Sequence, residues 1–263
     1  ALVDQVGLAQ LHLLAGDVVL LEQAAVARQG VLGQGDAALL PGDGFGDHPQ
    51  LNESVTGFKK ELARQGYQKV HAVENPLTSL ADDAERTRKM VKQIDGPVVL
   101  VGHSYGGAVI TEMGNLPNVK ALVYIAAFAP DAGESAGALT QARPPAAVAN
   151  IAPDSEGFLW VKPELFGESF CQDLPAEEAW VMGVTQKAPV GATFGDAITA
   201  PAWKRKPSYY QVSTEDRMIH PDNQRMMAAR INPVKTIELA ASHASLASRP
   251  VEITALILEA AKA

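Results

Sequence analysis

Three polar residues far apart along the chain have the types that nucleophilic catalysis needs: Ser104, Asp216 and His243. A serine hydroxyl is a weak nucleophile at neutral pH and gains strength from a base within hydrogen-bond reach, itself oriented by a carboxylate. Ser104 lies in Gly102-His103-Ser104-Tyr105-Gly106, a G-x-S-x-G stretch between the apolar run at 97–101 and Gly107-Ala108-Val109-Ile110. The continuous, β-branched run predicts a buried parallel strand, and the residues after the turn begin a helix. A serine raised on so tight a turn requires small neighbours, which Gly102 and Gly106 supply. The same turn aims the first helical N–H groups, and the positive end of the helix dipole, at an oxyanion formed beside Ser104.

The base and acid follow from position. His243 comes after the last predicted strand and after the acid in chain order, the sequence serine, acid, histidine. His220 is its main rival, but it stands four residues after Asp216 at the entry of a helix. His103 is expected to point away from its neighbour Ser104, and His12, His48 and His71 read as packed, loop or surface groups. Asp216 is preferred over Glu215 because aspartate suits a turn after a strand and its shorter side chain holds an imidazole more rigidly. Asp222 and Glu238 are weaker candidates.

These residues need a scaffold that brings three loops to one edge. Strands are expected at 37–41, 68–73, 97–101, 119–128, 208–213 and 234–239, and helices at 53–65, from the Ser79/Asp82 capping pair to about 93, after Pro221, and at 249–261. Strands alternating with helices predict an α/β fold with a doubly wound, mainly parallel sheet whose carboxyl-end loops gather the ligand site. Residues 1–35 read as an N-terminal extension in which 11–14 and 18–21 form either a hairpin or part of a helix. Residues 129–206 break the rhythm with eight prolines among scattered aromatics. So long a stretch without structure is unusual in a compact domain, so a helical cap inserted between 36–128 and 207–263 is expected. Phe45, Phe128, Trp160, Phe166 and Trp180 are its candidate substrate contacts.

Composition narrows the classes. The chain has 263 residues, 47% hydrophobic and 20% charged, which suits one large domain with a good core. Its net charge of −8 argues against nucleic acid or an anionic membrane as partner. Cys171 is the single cysteine, which excludes an intrachain disulfide and a thiolate metal site. Asp17, Glu22 and Arg28 interrupt the N-terminal apolar region, and no basic start marks a signal peptide, so a cytoplasmic protein is expected. The apolar N-terminal segment is compatible with a homodimer.

With these motifs in place, the chain resembles the α/β-hydrolase superfamily, especially small bacterial esterase-like members and their plant methylesterase and hydroxynitrile lyase relatives. The resemblance rests on GHSYGG at 102–107, AAFAPDAGES at 126–135, STEDRMI at 213–219 and SH at 242–243, and runs from Leu39 to the C-terminus. It implies Ser104 as nucleophile, Asp216 as acid, His243 as base, no cofactor, no metal, and a small-molecule ester as substrate. Such enzymes usually carry a His-Gly pair after the first central strand, and the N–H beyond it completes an oxyanion hole. This chain has Pro41-Gly42-Asp43 there, so the expected donors are the N–H groups of Tyr105 and Asp43. Ala244 follows His243 where plant lyases place a lysine, which disfavours lyase chemistry. The leading expectation is a serine esterase acting on small to medium carboxylic esters. The alternatives are a non-catalytic ligand-binding member, or perhydrolase or lyase-type activity with the same three residues.

Overall fold

The computed structural model describes residues 17–21, 64 and 69–262. Their centre is a six-stranded, wholly parallel sheet of β1 (Asp17–Leu21), β2 (Val70–Ala72), β3 (Val98–His103), β4 (Val119–Ile125), β7 (Ser208–Ser213) and β8 (Lys235–Leu239), in the order β2-β1-β3-β4-β7-β8. Helices α1 (Leu80–Val91), α2 (Gly106–Met113), α6 (Pro221–Ile231) and α8 (Pro250–Lys262) accompany it.

The buried strands are apolar on both faces because both are covered. In β3, Val98 and Leu100 join a cluster with Ile110, Met113 and Met227 from α2 and α6, while Val99 and Val101 join Ile253, Leu256 and Ile257 of α8. One irregularity has a plain cause. Val98 pairs with Val119 but Val99 pairs with Ala121, a bulge that leaves Lys120 unpaired and exposed at the edge of an otherwise buried strand. β4 ends at Ile125, where Ala126 takes a left-handed φ of 42° and interrupts the strand expected to reach 128.

The N-terminal expectation needs correction. Residues 17–21 are not half of a hairpin: β1 pairs in parallel with both β2 and β3, so a segment assigned to an extension supplies an inner strand of the sheet. β1 and β4 thereby occupy both sides of β3, the strand that ends just before Ser104. The helix expected at 53–65 and the strand at 37–41 lie outside the described residues, apart from Arg64.

Strand order reverses between β1 and β3: one connection runs outward to β2, and the rest of the sheet is laid down on the other side. Such a switch point opens a crevice at the carboxyl ends of the strands, and Ser104 is the first residue after β3.

The insertion between β4 and β7 is less helical than expected. It holds α3 (Ala136–Ala142), α4 (Phe166–Phe170) and α5 (Ala176–Val184), several 3₁₀ turns, and an antiparallel ribbon of β5 (Ile151–Pro153) and β6 (Leu159–Val161). The prolines keep each piece short, and the pieces are tied down by hydrogen bonds to the sheet's loops. Val190 N–H donates to the Leu77 carbonyl at 2.9 Å, and Leu80 N–H donates to Asp196 Oδ2 at 2.8 Å.

Candidate active site

Ser104 has φ 54°, a left-handed backbone that a serine adopts only where its surroundings enforce it. The enforcement is visible. A Cβ on Gly102 would lie 2.6 Å from the Gly106 carbonyl oxygen, and one on Gly107 would lie 2.2 Å from that of Phe128. Both sites therefore exclude a side chain, and the turn closes at its smallest radius. The Ser104 carbonyl accepts from Gly107 N–H at 3.1 Å and Phe128 N–H at 3.0 Å, which fixes the peptide. Tyr105 follows as the residue that caps α2, so its N–H opens the helix next to the serine.

Asp216 and His243 form a buried pair. His243 Nδ1 lies 2.7 Å from Asp216 Oδ2. The carboxylate accepts, so Nδ1 carries the proton and Nε2 offers its lone pair. Nε2 is buried and makes no hydrogen bond among the described residues. Hydrogen bonds with catalytic nucleophiles are often formed only when a ligand arrives.

The carboxylate is oriented on every side. Oδ1 accepts from Met218 N–H at 2.7 Å and Ile219 N–H at 3.0 Å, and Oδ2 also accepts from Gln224 Nε2 at 2.7 Å. The two loops are laced together directly: Thr214 N–H donates to the Leu239 carbonyl at 2.9 Å, and Glu215 N–H to the Ala241 carbonyl at 3.1 Å.

The rival candidates have other work. His220 caps α6, its Nδ1 accepting from Asp222 N–H at 3.2 Å. Glu238 and Asp222 are exposed and paired with Arg225. His103 is structural, as expected: its Nε2 bonds the His243 carbonyl oxygen. Burial, with a smaller contribution from the neighbouring His243, pushes the His103 imidazole down to about 3.

A cleft is lined by Ile151, Leu159, Phe166, Phe170, Phe194 and Met218, together with further insertion residues that include Lys187. The Phe170 ring stands edge-on to the His243 ring at 4.7 Å between centroids and stacks on Phe166 at 5.0 Å. The cleft thus adjoins the proposed base. Of the expected substrate contacts among the described residues, only Phe166 lines it. Phe128 is packed into the main core, and Trp160 and Trp180 are exposed, the latter to 65%. Trp160 Nε1 instead donates to Asp154 Oδ2 at 2.9 Å. Phe45 and Asp43 lie outside the described residues. Phe170 and Phe194, two more of the insertion's scattered aromatics, line the cleft as well, and so does Met218, which nothing local in the sequence distinguishes from a core residue.

A doubly wound parallel sheet with a strained serine at its switch point describes an α/β-hydrolase fold. Residues 11–256 match the Alpha/beta hydrolase family, and the chain belongs to it. That match begins well before Leu39 and takes in β1, in keeping with its place in the sheet. The chain is 25% identical over 198 residues to a probable hydrolase R7 of Phoma sp., covering 71% of this chain and 80% of that protein. Its fold is similar to that of a pyrethroid hydrolase from Sphingobium faniae, with a TM-score of 0.71 at 20% identity over 94% of this chain and 98% of the other. It is also similar to an Arabidopsis methylesterase, with a TM-score of 0.62 at 18% identity over 79% and 92%. Among the described residues no helix is long and apolar enough to cross a membrane.

Proposed function

We propose that the protein is a serine esterase that cleaves small to medium carboxylic esters through an acyl-enzyme, with Ser104 as nucleophile, His243 as base and Asp216 as the acid that orients it. The supporting observation is the 2.7 Å contact between His243 Nδ1 and Asp216 Oδ2, which leaves Nε2 as the proton acceptor of a ring fixed next to the elbow serine's loop. Ser104 Oγ gives its proton to Nε2 and bonds to the ester carbonyl carbon, and the carbonyl electrons move onto oxygen. Tyr105 N–H, at the start of α2, is the donor proposed for that oxyanion. Collapse expels the alcohol, which takes the proton from Nε2. A water then loses its proton to Nε2, attacks the acyl carbon, and releases the acid with Ser104 restored.

The insertion serves as a cap whose apolar cleft takes the acyl or alcohol group. Its lining is mainly aliphatic and aromatic, with Lys187 at its edge, which suits an uncharged, apolar ester. Relatives named as a pyrethroid hydrolase and a methylesterase support the same class of chemistry.

A fluorophosphonate probe tests the reading, with Ser104→Ala as control. The unmodified protein is expected to take one label and to hydrolyse p-nitrophenyl esters, and the alanine variant to do neither. An unlabelled wild-type protein, or equal ester turnover by both forms, refutes it.

A further inference from the structure

Three residues of one cap turn, Phe170, Gln172 and Asp173, hold the polypeptide just before Asp216 and on either side of His243. Gln172 Nε2 donates to the carbonyl oxygen of Glu215, the residue before Asp216, at 2.7 Å. Asp173 Oδ2 accepts from the N–H of Ser242, the residue before His243, at 3.0 Å. The Phe170 carbonyl accepts from the N–H of Ala244, the residue after His243, at 3.2 Å. Phe170 also packs its ring against the imidazole and lines the cleft.

We propose that Gln172 and Asp173 are positioning residues, which clamp the acid loop and the base loop to one turn of the cap and so set the distance between His243 and the nucleophile. This rests on the serine esterase reading above. The sheet joins the two loops upstream, through Thr214 and Glu215 to Leu239 and Ala241, and once past His243, where Ser245 Oγ donates to Gln211 Oε1 of β7 at 2.9 Å. Past the upstream bonds the chain segments carrying Asp216 and His243 leave the strands, and the cap turn spans them from outside. Asp173 is suited to a steady grip: although burial opposes its ionisation, hydrogen bonds from Ser242 outweigh that and hold its carboxyl below the ordinary range. A neighbouring turn adds to the span, since Arg217 Nη1 donates to the Glu168 carbonyl at 3.0 Å and Ala147 N–H to the Arg217 carbonyl at 2.9 Å. The cap is thereby part of the catalytic geometry as well as the wall of the cleft.

The test compares Gln172→Ala, Asp173→Ala and Asp173→Asn with wild type on p-nitrophenyl butyrate, with active sites counted by fluorophosphonate titration. A misplacement of the order of an ångström costs up to about a hundredfold in rate, so kcat per titrated serine is expected to fall about tenfold in each alanine variant, with KM within about twofold. Asp173→Asn is expected to recover most of the loss, because its amide oxygen still accepts from Ser242 N–H. Unchanged kcat per titrated serine, with only a lowered melting temperature, overturns the proposal and leaves these bonds as cap anchors. Should Asp173→Ala fail to fold, the half-buried Gln172 side chain carries the test alone. A wild-type protein that takes no label refutes the esterase reading itself, which separates the two failures.

Discussion

His103 Nε2 and the carbonyl oxygen of His243 are 2.8 Å apart, joining the residue before the proposed nucleophile to the proposed base across 140 positions of sequence. A carbonyl only accepts, so Nε2 carries the proton and the ring is neutral. Burial enforces that state by pushing its pKa from 6.5 to about 3, with the nearby His243 adding to the effect. Removing the donor strands a buried carbonyl, which costs about 1–3 kcal/mol. His103→Leu is therefore expected to lower the urea midpoint and kcat together, and His103→Gln, which retains an N–H, to do so less.

The same residue predicts a pH dependence. Its folded pKa is depressed, so the unfolded chain takes up a proton more readily than the native protein as pH falls from about 6.5 toward 3. Stability contributed by neutral His103 is complete above that window and is lost within it. The wild-type melting temperature is expected to fall more steeply than that of His103→Gln between pH 6.5 and 4.

Asp83 shows the opposite sign. It is fully buried, its Oδ1 accepts from Leu77 N–H at 2.8 Å, and burial raises its pKa above 3.8 despite that bond. The native protein holds this proton more tightly than the unfolded chain, so the contribution is present below 3.8 and is lost as pH rises through the folded value. Asp83→Asn keeps the acceptor for Leu77 and removes the buried charge. Its melting temperature relative to wild type is expected to rise between pH 4 and 8; a flat difference would show that Asp83 is neutral throughout or that its charge is compensated.

How much of this was legible in the sequence depended on whether local pattern or distant partners decide the structure. Ser104 follows a continuous apolar run, Asp216 and His243 follow β-branched and aromatic stretches that mix apolar with polar residues, and a parallel sheet carries the residues after its strands to one edge. Ser79 at the head of α1 was equally local, and its Oγ accepts from Asp82 N–H at 3.0 Å. β1 was not legible: Val18 to Leu21 are four apolar residues that suit a hairpin or a helix as well, and pairing with 70–72 and 98–102 settles the matter. The cap aromatics failed for a related reason. Size predicts burial, but Trp180 and Val184 stand four apart on α5 and are both exposed, whereas Phe170 is turned inward by the bonds that hold its turn to the His243 loop.

The elbow's tolerance for methyl groups gives a sharper prediction. A Cβ at Gly107 would meet the Phe128 carbonyl oxygen at 2.2 Å and Ala127 Cβ at 2.8 Å, and neither belongs to the free end of a flexible side chain. Relief requires moving the 126–128 segment, which holds the Ser104 carbonyl through Phe128 N–H. Overpacking of this kind costs about 1–3 kcal/mol or more. Gly107→Ala is expected to lose both stability and fluorophosphonate labelling, whereas Gly195→Ala, with nothing within 4 Å of the added methyl, is expected to behave as wild type.

Chain-length preference should divide the aromatics by where they point. Phe166 lines the cleft and stacks on Phe170, which in turn packs on the proposed base, so trimming Phe166 to alanine opens space without touching Asp216 or His243. Losing a buried phenylalanine costs about 3–5 kcal/mol, so some stability goes with it. The surviving protein is expected to shift its optimum toward longer acyl p-nitrophenyl esters, through a lower KM for those substrates. Trp180→Ala and Trp160→Ala alter exposed surface outside the cleft and are expected to leave the order of preference unchanged. If Trp180→Ala shifts the preference while Phe166→Ala does not, esters bind elsewhere on the cap than the cleft beside His243.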